Sequence, residues 1–181
     1  KAGYPQALAA VRSDFAAAGL GSMKMIGPDT TAIGGDKVKN YLDNIPSGHI
    51  DAIAHHLYHD SPGSTGIADL SRLQSQYPNW VMPKFMTELN PHDTYEDWDP
   101  AQPGWMQLAV TMHNVFTHER ANTYMVWSSM FGFIDRFTGK PNNADDYALG
   151  HFSRFVNANN WRVAASSNDP DIAVTHYRHY Y

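Results

Sequence analysis

The 181-residue sequence contains no cysteine, which excludes disulfide bonds, thiol nucleophiles and cysteine-ligated metal centres. Charged residues make up only 17%, and the formal net charge of −5 gives no indication of a nucleic-acid-binding surface. No apolar run approaches the roughly 18 residues that a membrane-spanning helix needs. The sequence therefore predicts neither a nucleic-acid partner nor a membrane partner.

Apolar residues are plentiful, at 43%, and aromatic residues reach 13% with ten tyrosines. A chain of this length and composition can bury the core of one globular domain. Aromatic rings of this number suit stacking on carbohydrate, and they suit an ordinary core equally well. Composition alone leaves both interpretations open.

Helical and strand patterns alternate along the chain, which favours parallel strands joined by right-handed crossovers. The predicted apolar stripe of the longest helix is Trp105, Leu108, Met112 and Phe116. After residue 157 the pattern changes to two antiparallel strands over 162–166 and 172–177. Helices are predicted over 4–19, 36–42, 67–76, 101–121 and 144–156, and strands over 23–26, 51–58, 84–90 and 123–129.

Four strand units of roughly 30 to 40 residues each are half of an eightfold barrel, which needs about 250 residues. The predicted fold class is therefore α/β: the second half of a (β/α)8 TIM barrel with the start of a side β-domain. Residues 1–156 form the half-barrel in this interpretation, and residues 157–181 begin the side domain. A self-contained open sheet of four or five strands fits the same pattern.

Glu88 lies at the C-terminal end of the third predicted strand, where side chains carry out the chemistry of parallel α/β barrels. Regular alternation places Lys84, Met86, Glu88 and Asn90 on one face of that strand. It places His56 and Tyr58 on one face of the preceding strand. We expect these faces to converge on one mouth, with Tyr58 donating a hydrogen bond to an ionised Glu88. A solvent-capped glutamate at the strand end is the alternative.

Two tryptophans are candidate sugar platforms, since an indole face packs on C–H groups. Trp127 ends the fourth strand, and Trp98 lies in an acidic, aromatic loop over 93–99. A core tryptophan and a solvated acidic loop are the respective alternatives.

His55, His56, His59 and Asp60 suggest a metal site, but this segment alternates as a strand and has no His-Glu-x-x-His frame. No metal and no cofactor are therefore predicted.

Several stretches resemble glycoside hydrolase family 30, a family of retaining (β/α)8 glycosidases. Residues 56–58 resemble the end of its sixth strand, and residues 86–88 the end of its seventh strand. Residues 147–156, followed by 161–163, resemble its eighth helix leading into the side β-domain, and Trp127 falls at its eighth-strand end. The resemblance implies that Glu88 is the nucleophile, that Tyr58 orients it, and that His56, Trp98 and Trp127 bind substrate.

The resemblance also implies a second carboxylic acid, because retaining glycosidases use one carboxyl group as nucleophile and another as acid/base. In this family the acid/base belongs to an Asn-Glu-Pro-like segment after the fourth strand, which is absent here. Glu96 and Glu119 lack that context. We therefore expect an acid/base outside this chain and residues preceding Lys1. The isolated chain is expected to be nearly inactive.

The implied activity is that of an endo-β-1,4-xylanase, with a β-1,6-glucanase or β-1,6-galactanase as alternatives. Glucuronoxylan-specific relatives carry arginines directly after the eighth strand, whereas the first arginine after the corresponding strand here is Arg136. Strict dependence on a glucuronate branch is therefore not expected. A non-catalytic carbohydrate-binding half-barrel that uses Trp98, Trp105 and Trp127 is an alternative of another class.

The expected partners are a polysaccharide and the N-terminal half of the same barrel, either in cis or as a separate chain. Because a cut barrel exposes two strand edges, association is predicted. Secretion follows from the resemblance.

Overall fold

Four parallel strands form the central sheet of the protein in a computed structural model that describes residues 3–33, 37–46, 48–58, 82–89, 104–127, 137–140 and 144–179. The strands lie in the order β1-β2-β3-β4, and each pairs with its neighbour in parallel. The predicted parallel α/β arrangement is confirmed. The strands are β1 (Ile26–Thr30), β2 (Ala52–His56), β3 (Lys84–Glu88) and β4 (Thr123–Tyr124).

Helices precede or connect these strands. Helix α1 begins with a proline in its first turn, where the missing N–H costs no hydrogen bond, and it is followed by Gly19 at a φ of 75°. Helix α3 continues directly into a π-helical turn, Val115–Glu119. The helix predicted over 67–76 lies outside the described residues. The described helices are α1 (Tyr4–Ala17), α2 (Lys39–Leu42), α3 (Gly104–Asn114) and α4 (Ala144–Ser153).

The first strand lies later in the chain than the sequence pattern predicts. Strand β1 runs from Ile26 to Thr30, so Pro28 and Asp29 belong to the strand and not to a following loop. Proline is compatible with this position because, in the described sheet, β1 pairs with β2 on one side only. Helix α2 has Val38 as its N-cap, whereas the predicted helix starts at residue 36, which lies outside the described residues.

The main apolar core lies between the sheet and the helices. Met86 from β3 and Val115 from the π-helical turn are fully buried there. A second cluster joins α3 to α4. The main cluster comprises Leu8, Ile33, Val38, Leu42, Ile45, Ile50, Ile53, Leu57, Tyr58, Met86, Leu89 and Val115, and the second comprises Leu108, Met112 and Ala148.

The apolar stripe of α3 is displaced from its predicted position. Leu108, Met112 and Val115 are buried, whereas Trp105 is partly exposed near the first turn of the helix. Phe116 packs against the second cluster without being fully buried. The stripe therefore extends through the π-helical turn, and the prediction that Trp105 belongs to it is wrong, because Trp105 is 38% exposed.

Beyond α4 the chain forms a two-stranded antiparallel sheet. Strand β5 (Asn160–Val163) pairs with β6 (His176–His179), and Asn160 is level with His179. The predicted antiparallel pair is thus confirmed in kind, with both strands displaced by a few residues. The proposed domain boundary at residue 157 stays a prediction. None of the helices in the described ranges is long and apolar enough to cross a membrane.

Asp51 ties α1 to the start of β2. Its carboxylate accepts hydrogen bonds from the Met25 N–H at 2.9 Å, from Arg12 at 2.6 Å and from Lys24 at 3.2 Å. The Met25 backbone N–H, followed by the Arg12 guanidinium, lowers the pKa of Asp51 from 3.8 to about 2. This group is therefore ionised in the folded protein well into acidic solution.

Leu108→Ala tests the α3–α4 packing. Leu108 is 1% exposed, so its truncation is expected to lower the free energy of unfolding by about 2–5 kcal/mol. Met106→Ala on the same helix is the matched control, because Met106 is 38% exposed. Urea unfolding followed by circular dichroism measures both. Equal losses in the two variants would contradict the described orientation of α3.

The lowered pKa of Asp51 predicts how the free energy of unfolding depends on pH. The folded-state pKa of about 2 lies below the unfolded value of 3.8, so the unfolded chain binds more protons in that interval. The stabilisation from Asp51 is complete above about pH 4 and is lost as the pH falls toward about 2. Urea unfolding at several acidic pH values should show a flatter dependence in Asp51→Asn than in the native chain. Identical slopes would refute the prediction.

Candidate active site

The carboxyl ends of the first three strands bring three polar side chains together. His56 Nε2 lies 3.4 Å from Asp29 Oδ1 and 3.6 Å from Glu88 Oε2. Because parallel neighbouring strands end at the same edge of a sheet, residues from three separate segments meet there. The imidazole of His56 therefore contacts both carboxylates at the mouth of the sheet.

The three side chains differ in their access to solvent. The side chain of Glu88 is 30% exposed and that of Asp29 is 53% exposed, whereas His56 is largely covered. A carboxylate that is fixed on one side and open on the other can meet a ligand from solution. Glu88 has the position and access that a carboxylate nucleophile needs.

Glu88 reaches this mouth through an irregularity in β3, and not through regular alternation. Met86 is level with His55, and Glu88 is level with His56, so Thr87 is an extra residue between the two pairs. Consecutive residues His55 and His56 point to opposite faces of β2. Met86 and Glu88 consequently also lie on opposite faces, although they are two residues apart.

The prediction that Lys84, Met86 and Glu88 share one face is therefore wrong. Lys84 and Met86 are buried on the helix side of the sheet. Burial lowers the pKa of Lys84, against the nearby charge of Glu119, which raises it. The bulge redirects Glu88 alone to the open side, which alternation rules cannot anticipate.

Thr87 fixes the bulge through its hydroxyl, whose single hydrogen is shared between two acceptors. Its hydroxyl lies 2.5 Å from Asp29 Oδ1 and 3.1 Å from the carbonyl oxygen of His55. Asp29 itself adopts a left-handed backbone conformation, with a φ of 58°. Non-glycine residues in this conformation are uncommon, and such strain concentrates at functional sites. Thr87 and Asp29 thus form part of the same arrangement as Glu88.

The predicted site residues are brought together in part. His56 and Glu88 are in contact, and Tyr58 packs edge-on against His56 with ring centroids 5.7 Å apart. Trp127 is half exposed beyond β4, where its backbone N–H donates to the Leu89 carbonyl at 3.0 Å. Trp127 thus follows β4, the strand that pairs with the Glu88-bearing strand β3.

Trp98 lies outside the described residues. The roles assigned to Tyr58, His56, Trp98 and Trp127 stay predictions.

Asp29 and Thr87 are the site residues that sequence reasoning missed. The short apolar run over 23–26 predicts a loop at Asp29, although an acid just after such a run is a recognisable signal. Thr87 carries no such signal, since its importance depends on the bulge. His59 and Asp60 lie outside the described residues, and within the described ranges no group of three or more histidine or acidic side chains is arranged to hold a metal ion.

The folded chain is similar to a solved structure of a GH30 endoxylanase from Clostridium papyrosolvens C71. The TM-score is 0.65, and the match covers 89% of this chain but 39% of that enzyme. At 19% sequence identity the likeness concerns the fold. No family model and no curated protein matches the sequence. The α/β sheet is therefore a partial barrel with a GH30-like fold, and the chain spans well under half of the enzyme that it resembles.

Thr87→Val tests the bulge at the site. The substitution keeps the shape of the side chain and removes the hydroxyl that faces Asp29 and the His55 carbonyl, so it should lower the free energy of unfolding by about 1–3 kcal/mol. Thr87→Ser, which retains the hydroxyl, is the matched control and should cost markedly less. Chemical denaturation of the three proteins measures the difference. Equal stability of the valine and serine variants would show that the hydroxyl contacts do not hold the bulge.

Proposed function

We propose that this chain is the nucleophile-bearing half of a retaining glycoside hydrolase that cleaves a polysaccharide backbone. The observation that carries the proposal is the position of Glu88, at the carboxyl end of a parallel strand and 3.6 Å from His56, within a GH30-like fold. In parallel α/β barrels this end of the sheet carries the chemistry.

In the proposed reaction a Glu88 oxygen attacks the anomeric carbon of the sugar. The bond from that carbon to the glycosidic oxygen breaks, and the leaving oxygen takes a proton from a second carboxylic acid. The same acid, now ionised, removes a proton from water, which displaces Glu88 from the glycosyl-enzyme. His56 contacts the Glu88 carboxylate and holds it at the mouth before attack.

The second carboxyl group is proposed to come from outside this chain, from the other half of the barrel in cis or in a separate chain. Glu119 is unsuited to the role, because it is fully buried and its Oε1 is 2.5 Å from His55 Nε2 on the helix side of the sheet. Glu96 lies outside the described residues. A half-barrel of residues 1–156 and a side domain beginning at 157 belong to the same proposal.

The proposed substrate is β-1,4-xylan, since the similar structure is that of an endoxylanase. Trp127 is half exposed after β4 and has the apolar face that a sugar ring requires. Secretion is part of the proposal, because a polymer of this kind does not enter a cell.

A xylobioside with a 2-fluoro substituent and a dinitrophenyl leaving group tests the nucleophile directly. The good leaving group departs without acid assistance, so the missing acid/base does not prevent formation of the glycosyl-enzyme. We expect one fluoroxylobiosyl adduct per chain by intact mass, and peptide mapping should place it on Glu88. The Glu88→Gln variant should form no adduct.

An adduct on another residue, or none on a chain whose circular dichroism shows it to be folded, would refute the proposed nucleophile. Xylo-oligosaccharide binding without any adduct would instead support the non-catalytic carbohydrate-binding alternative. Matched β-1,6-linked glucosyl and galactosyl reagents distinguish the substrate alternatives, and faster labelling by either reagent would replace xylan as the proposed substrate.

A further inference from the structure

A histidine and a glutamate are buried together directly behind the candidate site. His55 and Glu119 are both 0% exposed, and His55 Nε2 lies 2.5 Å from Glu119 Oε1. Glu119 is the last residue of the π-helical turn that follows α3, a type of turn that is frequent at functional sites. The proposed chemistry uses neither residue.

The contacts of His55 determine where its protons lie. Nδ1 is 3.0 Å from the carbonyl oxygen of His56, and a carbonyl can only accept, so Nδ1 carries hydrogen and donates. Nε2 is then left to pair with Oε1 of Glu119, and this short contact lets both polar side chains stay buried.

The same imidazole secures the irregular step between β2 and β3. At a bulge the regular ladder is interrupted, and backbone carbonyls need other donors. The His55 carbonyl accepts from Thr87 on the open side of the sheet, at 3.1 Å. The His56 carbonyl accepts from His55 on the helix side, at 3.0 Å. Two side chains thus hold two consecutive carbonyls from opposite faces.

We infer that His55 and Glu119 are positioning residues, which hold the β2–β3 step so that Glu88 faces His56; this rests on the proposed role of Glu88 as nucleophile. Glu119 fixes the ring of His55, and His55 fixes the carbonyl of His56. His56 is level with Glu88, so the orientation of the nucleophile depends on a contact made on the other side of the sheet.

Stability alone does not account for such a pair. Replacing a buried ionic or polar pair with apolar residues of similar size is often neutral or stabilising. Met86, which is level with His55, and Leu57 both belong to the main apolar cluster. One carboxylate oxygen of Glu119, Oε2, is buried with no hydrogen-bond partner in the described ranges, which is a further cost to stability. The specific gain is a fixed register, since a slip of one residue moves every side chain to the other face.

The double variant His55→Leu/Glu119→Leu separates positioning from stability. It removes both side chains of the pair together, so its melting temperature should fall only slightly, through the loss of the single hydrogen bond to the His56 carbonyl. It also removes the donor to the His56 carbonyl. The rate constant of Glu88 labelling by the fluoroxylobioside should therefore fall about 10- to 100-fold. Glu119→Gln, which can still hydrogen-bond Nε2, should label within about twofold of the native rate.

Arg12→Leu is the matched control. It breaks a hydrogen-bonded pair to Asp51 at the opposite end of β2 and should lower stability without slowing the labelling of Glu88. Labelling of the double variant at a rate within about twofold of native would overturn the inference, because a misplaced Glu88 should slow labelling far more than that. So would equal slowing in Arg12→Leu, or a tenfold loss in Glu119→Gln.

A second measurement keeps this test independent of the proposed function. If the native chain forms no adduct, the proposed nucleophile fails, and the positioning inference is then decided by nuclear Overhauser contacts between the His56 ring and the Glu88 side chain. These contacts should be present in the native chain and in Arg12→Leu and absent in the double variant. Their persistence in the double variant would overturn the inference.

Discussion

The step in register between β2 and β3 is the constraint on which the candidate site depends. His55 is level with Met86 and His56 with Glu88, so Thr87 interrupts the alternation of β3. Without that step, Glu88 would follow Met86 into the apolar layer beneath the helices. With it, a buried methionine and an open carboxylate lie two residues apart on one strand.

The two faces of the sheet carry different physical demands, and the step satisfies both. The helix side is dry and apolar, so the polar groups there must be paired, as His55 is with Glu119 at 2.5 Å. The mouth side is open, so carboxylates can stay solvated while they contact His56. Because β2 separates these faces, a contact on one side can set the geometry on the other.

Sequence reasoning succeeded where local pattern decides the outcome. The helical repeat predicted α1 and α3, and the order of helices and strands predicted a parallel sheet. The strand-end positions of His56 and Glu88 predicted that they would meet. It failed where contacts distant in the chain decide. His55 and Glu119 are 64 residues apart, and Thr87 acts on Asp29 58 residues away, so neither pair has a local signature.

By itself, the sequence determined the element types, the parallel topology and the placement of a glutamate at a strand end, because apolar periodicity and strand alternation are local properties of the chain. The tertiary structure alone decided which face Glu88 occupies. That outcome depends on one extra residue in β3 and on side chains from separate segments that satisfy the freed carbonyls. Periodicity carries no information about such partners, because they meet only when the helices and strands pack together.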